Sequence, residues 1–328
     1  MSHPPFSARP DYQRIHDMPL SQLRDEAADA LKSGLLNTTT LWLHRQCWLR
    51  SRKDLDFLNY LLCRRQFGYM LTSCHQRRVQ RILKTPSLWL LFKGLRRHQQ
   101  NQLKCLLNEA LHGNQPTGPQ QQRARYWLSQ QGNWQAQWIS QLQQAQSVHV
   151  VGNSPHILEL GLGPEIDNAD LVVRFNHFRS EHTNVKDIGH KLSAWVAAPG
   201  YQGPDASAQQ AEAERAPIII AGPAMLYIQQ RFTHLVGDKD RVVLQVPLAT
   251  WRQQVRRFAA PPSAGALLLA WLLQLKAEHQ LVFSLKGFGF GYDAKAQTRY
   301  HSAKPDHRPV ARHNWDAEHT WMKSILSK

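Results

Sequence analysis

Three short segments of the chain carry side chains suited to binding and proton transfer. The stretch Val150 to Phe178 reads VVGNSPHILELGLGPEIDNADLVVRFNHF, in which one apolar run stops at Gly152-Asn153-Ser154 and the next at Arg174-Phe175-Asn176. A second segment, PPSAGALLLAWLLQLKAEHQLVFSLKGFGFG, opens a helix with Pro-Ser-x-Gly (Ser263, Gly265) and closes on Gly287-Phe288-Gly289. The third is YHSAKPDHRPVARHNWDAEHTWMKSI, where His313 precedes Glu318 by five positions. Amide and hydroxyl side chains at strand ends hydrogen-bond phosphate or sugar hydroxyls, and a glycine beside them lets backbone approach a ligand. A helix start with unpaired N–H groups favours an anion, and imidazole exchanges protons near neutral pH. Together these are the parts of a site for a phosphorylated ligand with a base nearby.

The elements that must position these residues change character near residue 145. Before it the sequence is rich in Leu, Arg, Gln, Trp and His at helical spacing, and glycine is scarce. SQLRDEAADALKSG predicts a helix ending at Gly34, and LDFLNYLLCRRQFGYMLTSCHQRRVQRIL predicts further helix with a dense arginine set. GNQPTGPQQQ (Gly113 to Gln122) is the clearest break, with a Gln- and Trp-rich helix after it. Beyond 145, SVHVVG, ADLVVRFN, KLSAWVAA, APIIIAG, DRVVLQV and HQLVFSLKGFG predict strands, with AGALLLAWLLQLKAE a buried helix before the last. Alternation of strands with helices implies a Rossmann-like, mostly parallel α/β sheet that binds ligands at the strands' C-terminal ends. The division expected is a basic, all-helical region at 1–145, at a membrane surface or an acceptor, and a catalytic domain at 146–328.

Composition narrows the partners. In 328 residues, 40 Lys and Arg stand against 24 Asp and Glu, so the chain attracts an anionic partner or simply wears a solvated basic surface. LWLLFKGLRRHQQNQLK interleaves cations with Trp, Leu and Phe. It fits a packed helix first, an anionic membrane surface second, and nucleic acid third, because no nucleic-acid motif accompanies the charge. Cys47, Cys63, Cys74 and Cys105 are widely spaced with no CxxC pair; this is neither a zinc pattern nor a secreted disulfide framework. No stretch reaches the roughly 20 apolar residues of a spanning helix. The expectation is a cytoplasmic protein, or one peripheral at the inner membrane. Gly161-Leu162-Gly163 lacks the third glycine and sits away from the strand's turn, so a nicotinamide oxidoreductase is weakly supported. The acidic pairs Asp54-Leu-Asp56 and Asp238-Lys-Asp240 are expected on charged, solvated faces rather than at a metal.

These segments resemble the sialylmotifs of the eukaryotic-type sialyltransferases, glycosyltransferase family 29, four motifs matching in order. VVGNSPHILELGLGPEIDNADLVVRFN is similar to the large motif and PSAGALLLAWLLQL…KGFGF to the small one. HNWDAE is similar to the very small motif, His-x4-Glu, and Tyr300-His301 falls at the third motif. The likeness spans roughly residues 147 to 325. Two departures stand out: the animal family's disulfide positions are here Val148 and Gln280, and its N-terminal membrane anchor is absent. Both fit a cytosolic bacterial relative.

The resemblance implies a GT-A-like variant of the fold and a metal-independent, inverting transfer without a cofactor. The donor would be a CMP-activated acidic sugar, sialic acid or a related ulosonic acid such as Kdo. The acceptor would be a glycan or glycolipid, lipopolysaccharide or capsule among them. Gly152, Asn153, Ser154, Asn176, Ser263 and Gly265 would hold the donor, with Gly287 and Gly289 leaving room for cytosine and ribose. His313 would be the general base and His301 the phosphate-side group, with His307 its competitor. Glu318 is expected as support, since a five-residue helical spacing does not bring it face to face with His313. Arg174 is left between bracing the sheet and touching the donor. The alternative reading is a non-catalytic basic protein on anionic membrane or nucleic acid.

Overall fold

The computed structural model describes residues 6, 7, 9–85, 103, 106, 107, 119–179, 184–198, 206–223, 241–290 and 312–326. Six strands form one sheet in the order β5-β4-β3-β2-β1-β6, parallel throughout. They are β1 (Ser147–Val151), β2 (Leu171–Phe175), β3 (Ala194–Ala197), β4 (Ile218–Ile220), β5 (Val243–Gln245) and β6 (Ser284–Phe288). β2, β3 and β4 run through buried Val, Ile, Trp and Ala because helices cover both faces. From β1 the chain steps outward to β5 and then returns to place β6 on β1's other side. The order therefore reverses beside β1, which puts the β1 and β6 tips where open α/β sheets bind ligands.

Ahead of the sheet lie α1 (Tyr12–Asp17), α2 (Leu20–Lys32), α3 (Thr38–Ser51), α4 (Asp54–Gln66), α5 (Ser73–Leu83) and α6 (Pro119–Gln144). Gly34 at φ +80° ends α2, with Leu35 N–H donating to Ala30 O at 2.9 Å. The single long helix-like stretch from Leu55 is in fact α4 and α5, broken at Gly68, whose φ of +81° and contact with the Trp251 ring admit no side chain. Trp127, Trp134, Trp138 and Leu142 of α6, with Leu36, Cys63 and Phe67 from the earlier helices, share one apolar core with the sheet. Asp56 is not on a solvated face: it is buried and paired with Arg24 at 2.6 Å, while Asp54 faces Arg78 at 3.3 Å. No helix among the described residues is long and apolar enough to cross a membrane.

Within and after the sheet come α7 (Gly163–Asp167), α8 (Val185–Ile188), α9 (Ala206–Ala213), α10 (Leu248–Phe258), α11 (Ala264–Glu278) and α12 (Trp315–Leu326). α11 is apolar nearly all round and buries Leu267, Leu268, Leu269, Trp271 and Leu272, the composition of a helix enclosed by protein on all sides. Leu268→Ala alone would cost about 2–5 kcal/mol of stability. Such rigidity fixes the N-terminus of α11, where the site begins.

Candidate functional site

The sheet's C-terminal rim is built by close backbone crossing. Gly152 N–H donates to Phe288 O at 2.7 Å and Ser154 N–H to Gly289 O at 3.0 Å. A methyl group on Gly152 would lie 2.5 Å from Gly289 O, and one on Gly289, at φ +65°, 2.6 Å from Gly152 O. These two glycines thus let the β1 and β6 tips touch. The Phe290 ring lies where methyl groups on Gly265, Gly287 and Gly152 would reach 2.7, 3.2 and 3.3 Å from it. It also meets Phe175 edge to face at 6.1 Å. A methyl group on Gly287 would also lie 2.5 Å from Leu326 of α12, so no side chain fits there.

Asn153 ties the β1 tip to the backbone on either side of Asn176. Asn153 Nδ2 donates to Phe175 O at 3.0 Å and to His177 O at 3.1 Å, straddling Asn176. Both partners are carbonyls, so the amide's orientation is fixed. Its Oδ1 is shielded from solvent and has no hydrogen-bond partner among the described residues, an acceptor unsatisfied at the strand tips. Asn176 adopts φ +45°, a conformation that asparagine tolerates better than most residues. Its Oδ1 accepts from Ala198 N–H at 2.8 Å and its carbonyl from Trp195 Nε1 at 3.0 Å, so it locks β2 to β3. Ser154 Oγ receives the His156 N–H at 3.4 Å and caps the 3-10 turn Pro155–Ile157.

Ser263 caps α11, its Oγ accepting from Ala266 N–H at 3.2 Å, worth about 1 kcal/mol. Its own N–H donates to Glu318 Oε1 at 2.9 Å. Glu318 is fully buried, Oε2 has no partner among the described residues, and burial pushes its carboxyl up to about 7. His313 sits just ahead of α12, which Asn314 caps by accepting from Ala317 N–H at 3.3 Å. His313 and Glu318 are therefore not two positions on one helix, and the turn Pro261-Pro262-Ser263 links them. His313 Nδ1 lies 2.7 Å from Pro261 O. A carbonyl only accepts, so Nδ1 carries the proton and Nε2 the lone pair. Burial holds the imidazole below its usual pKa, with the Arg312 charge adding to the effect. The neutral form, competent as a base, is favoured.

The N-terminal helices brace this turn. Leu36 N–H donates to Ala259 O at 2.8 Å, Trp251 Nε1 to Gln66 O at 2.9 Å, and Arg252 to Gly68 O at 3.0 Å. Gly34 lies against the Arg312 backbone so closely that any side chain there would overlap it. Arg174 braces too: it is 1% exposed and donates to Lys191 O and Ile188 O, both at 2.8 Å. Gly161 and Gly163 serve packing, Gly161 N–H donating to Asp187 at 2.8 Å and Gly163 abutting the Val185 and Lys186 carbonyls. His301, His307, Asp238 and Asp240 lie outside the described residues. No cluster of metal-ligating side chains occurs among those described. Sequence reasoning missed Phe290 and the Pro261 carbonyl; the aromatic next to Gly289 was a visible signal for the first, while a backbone oxygen leaves none.

A cavity of about 360 Å³ adjoins the rim along β6, between the Pro155–Ile157 turn and α12. Gly287 and Gly289 line it; Asn153, Ser154, Ser263 and His313 are not among its lining residues.

Comparison with known proteins gives one family. The model of glycosyltransferase family 29 (sialyltransferase) matches residues 120–246. The match begins inside α6, takes in the first of the three segments and ends before Ser263. No curated protein matches in sequence. Among solved structures, a crystal structure of a mammalian sialyltransferase in complex with Gal-beta-1-3GalNAc-ortho-nitrophenol is 20% identical, with 72% of this chain and 86% of that one covered and a TM-score of 0.45. A second crystal structure of a mammalian sialyltransferase is 19% identical over 65% and 85% of the two chains, at 0.38.

Proposed function

We propose that the chain is a member of glycosyltransferase family 29, whose model matches residues 120–246, and that it transfers sialic acid or a related ulosonic acid such as Kdo from the CMP-sugar to a glycan or glycolipid hydroxyl. The observation that carries the reading furthest is the fixed tautomer of His313, a neutral imidazole with its Nε2 lone pair available beside the N-terminus of α11. Nε2 takes the acceptor hydroxyl's proton as that oxygen attacks the anomeric carbon. The bond from the anomeric carbon to the CMP phosphate oxygen breaks with its electron pair leaving on CMP, and the centre inverts. Donors on the protein stabilise the phosphate charge in place of a metal, with His301 the candidate. The unsatisfied Asn153 Oδ1 supports a ligand that donates a hydrogen bond, as a ribose hydroxyl or the cytosine amino group does.

Exposed Arg77 and Arg81 stand one helical turn apart on α5, whose Val79 and Ile82 are buried. That basic face supports seating of the enzyme on an anionic membrane. The test of the main reading is thermal stability under equal concentrations of CMP, UMP, UDP and NAD. Ligand at a hundredfold excess over its Kd stabilises by about 2.7 kcal/mol, so CMP gives the largest shift. An equal or larger shift with UDP rules the reading out.

A further inference from the structure

Apart from Gly287 and Gly289, expected at the donor, the cavity beside β6 has an amphiphilic lining that no step of the transfer uses. Along α12, His319 and Lys323 are one turn apart, as are Met322 and Leu326, and all four line the cavity, while Glu318, one turn before Met322, is sealed in the core and is not among the lining residues. The facing wall carries Ile157, Leu160 and Leu162 with His156 at its head. Leu160 is 58% exposed, an apolar surface presented to water beside a Lys and two His. No Asp or Glu lines the cavity among the described residues. Lysine ammonium and imidazole N–H groups donate to an acid, and the leucines favour a chain with no polar atoms. About 360 Å³ lies within the range of small-molecule sites. Gly289 and Phe290 belong both to this cavity and to the rim that carries Gly152, so what it holds ends beside the tip of β1.

We propose that this groove binds a single-chain acidic amphiphile, the anchor of the sugar acceptor, with the acid among His156, His319 and Lys323 and the chain between the two apolar walls. Calling the ligand the acceptor's anchor rests on the transferase reading; the binding itself does not. Titration calorimetry on the full chain, below micelle concentrations, uses octyl phosphate, octyl glucoside and inorganic phosphate as probes. Octyl phosphate binds at one site about tenfold tighter than octyl glucoside, and inorganic phosphate gives no saturable heat. Lys323→Gln erases most of that preference, and Leu160→Asp weakens both amphiphiles; both residues are exposed, so the fold is spared. Equal affinity for the two amphiphiles, phosphate matching octyl phosphate, or variants that behave as wild type overturns the proposal. CMP is titrated into the same samples. CMP binding without octyl phosphate binding sinks the groove and leaves the transferase; the reverse result keeps the groove and counts against the transferase.

Discussion

Glu318 permits a prediction with a sign and a size. Its carboxyl is sealed in the core, with one oxygen held by the Ser263 N–H and the other without a partner among the described residues. Burial raises it from 4.5 to about 7 in the folded chain. Between those values the folded protein holds a proton that the unfolded chain has released. Stability from this group is thus complete below pH 4.5, declines as pH rises, and is gone once pH passes about 7. One pKa unit is worth 1.36 kcal/mol, so the rise of about 2.5 units from 4.5 to 7 amounts to about 3 kcal/mol. Glu318→Gln keeps an oxygen for Ser263 N–H and never ionises. Urea unfolding of both proteins at pH 5, 6, 7 and 8 therefore gives a difference that shifts toward the variant by about 2.5 kcal/mol across the series, part of the effect being already lost at pH 5. A difference that stays flat with pH refutes the buried, proton-holding carboxyl. A difference shifting the opposite way means that Glu318 is ionised and paired.

The remaining predictions concern the rim and the base. His313→Ala lowers kcat by roughly a hundredfold to ten-thousandfold while the Kd for CMP, measured by calorimetry, stays near wild type; near-normal turnover removes His313 from the mechanism. Because burial holds the His313 imidazole below 6.5, the acid limb of the kcat/KM profile falls below that value, and a limb above 6.5 contradicts its environment. Gly289→Ala places a methyl at φ +65° against Gly152 O and lowers stability by about 2 kcal/mol or more, read from the urea midpoint; an unchanged midpoint means the strand tips do not meet as described. EDTA leaves transfer unchanged, and loss of activity restored by magnesium or manganese would promote Asp238 or Asp54 as ligands.

How much was legible in the sequence depends on the range of the forces involved. All six predicted strands are present, because runs such as PIIIAG and DLVVRF leave no polar face for a surface helix. The helix 264–278 matches its predicted bounds, with Ser263 as cap and apolar residues to Leu275. The turn at Gly68 escaped notice, since only the Trp251 ring, far away in sequence, explains why no side chain fits there. Asp56 was misjudged for the same reason: its partner Arg24 comes from another helix. At the site the residue types were legible but several geometric duties were not. Asn176 looks like a ligand-binding amide, yet its Oδ1 already holds Ala198. Gly287 does border open space, yet what forbids a side chain there is Leu326 and Phe290 from distant parts of the chain.

The turn at Pro261 explains why residues spread over much of the chain act as one unit. Asn314 Nδ2 donates to Phe258 O at 3.0 Å while its Oδ1 caps α12, so one side chain joins the end of α10 to the start of the helix that follows His313. Ala259 then takes φ +49° and gives its carbonyl to Leu36 of the helical N-terminal region. Pro261 O orients His313, and Ser263 N–H meets Glu318. Each contact removes a freedom of the imidazole, and a base displaced by about 1 Å loses on the order of a hundredfold in rate. If His313 is the base proposed above, the N-terminal helices bear on the chemistry through Leu36, Gly34 and Gln66, none of which needs to approach a substrate. Removing them would uncover Ala259 and Trp251 and leave His313 with its Pro261 contact on an unsupported turn.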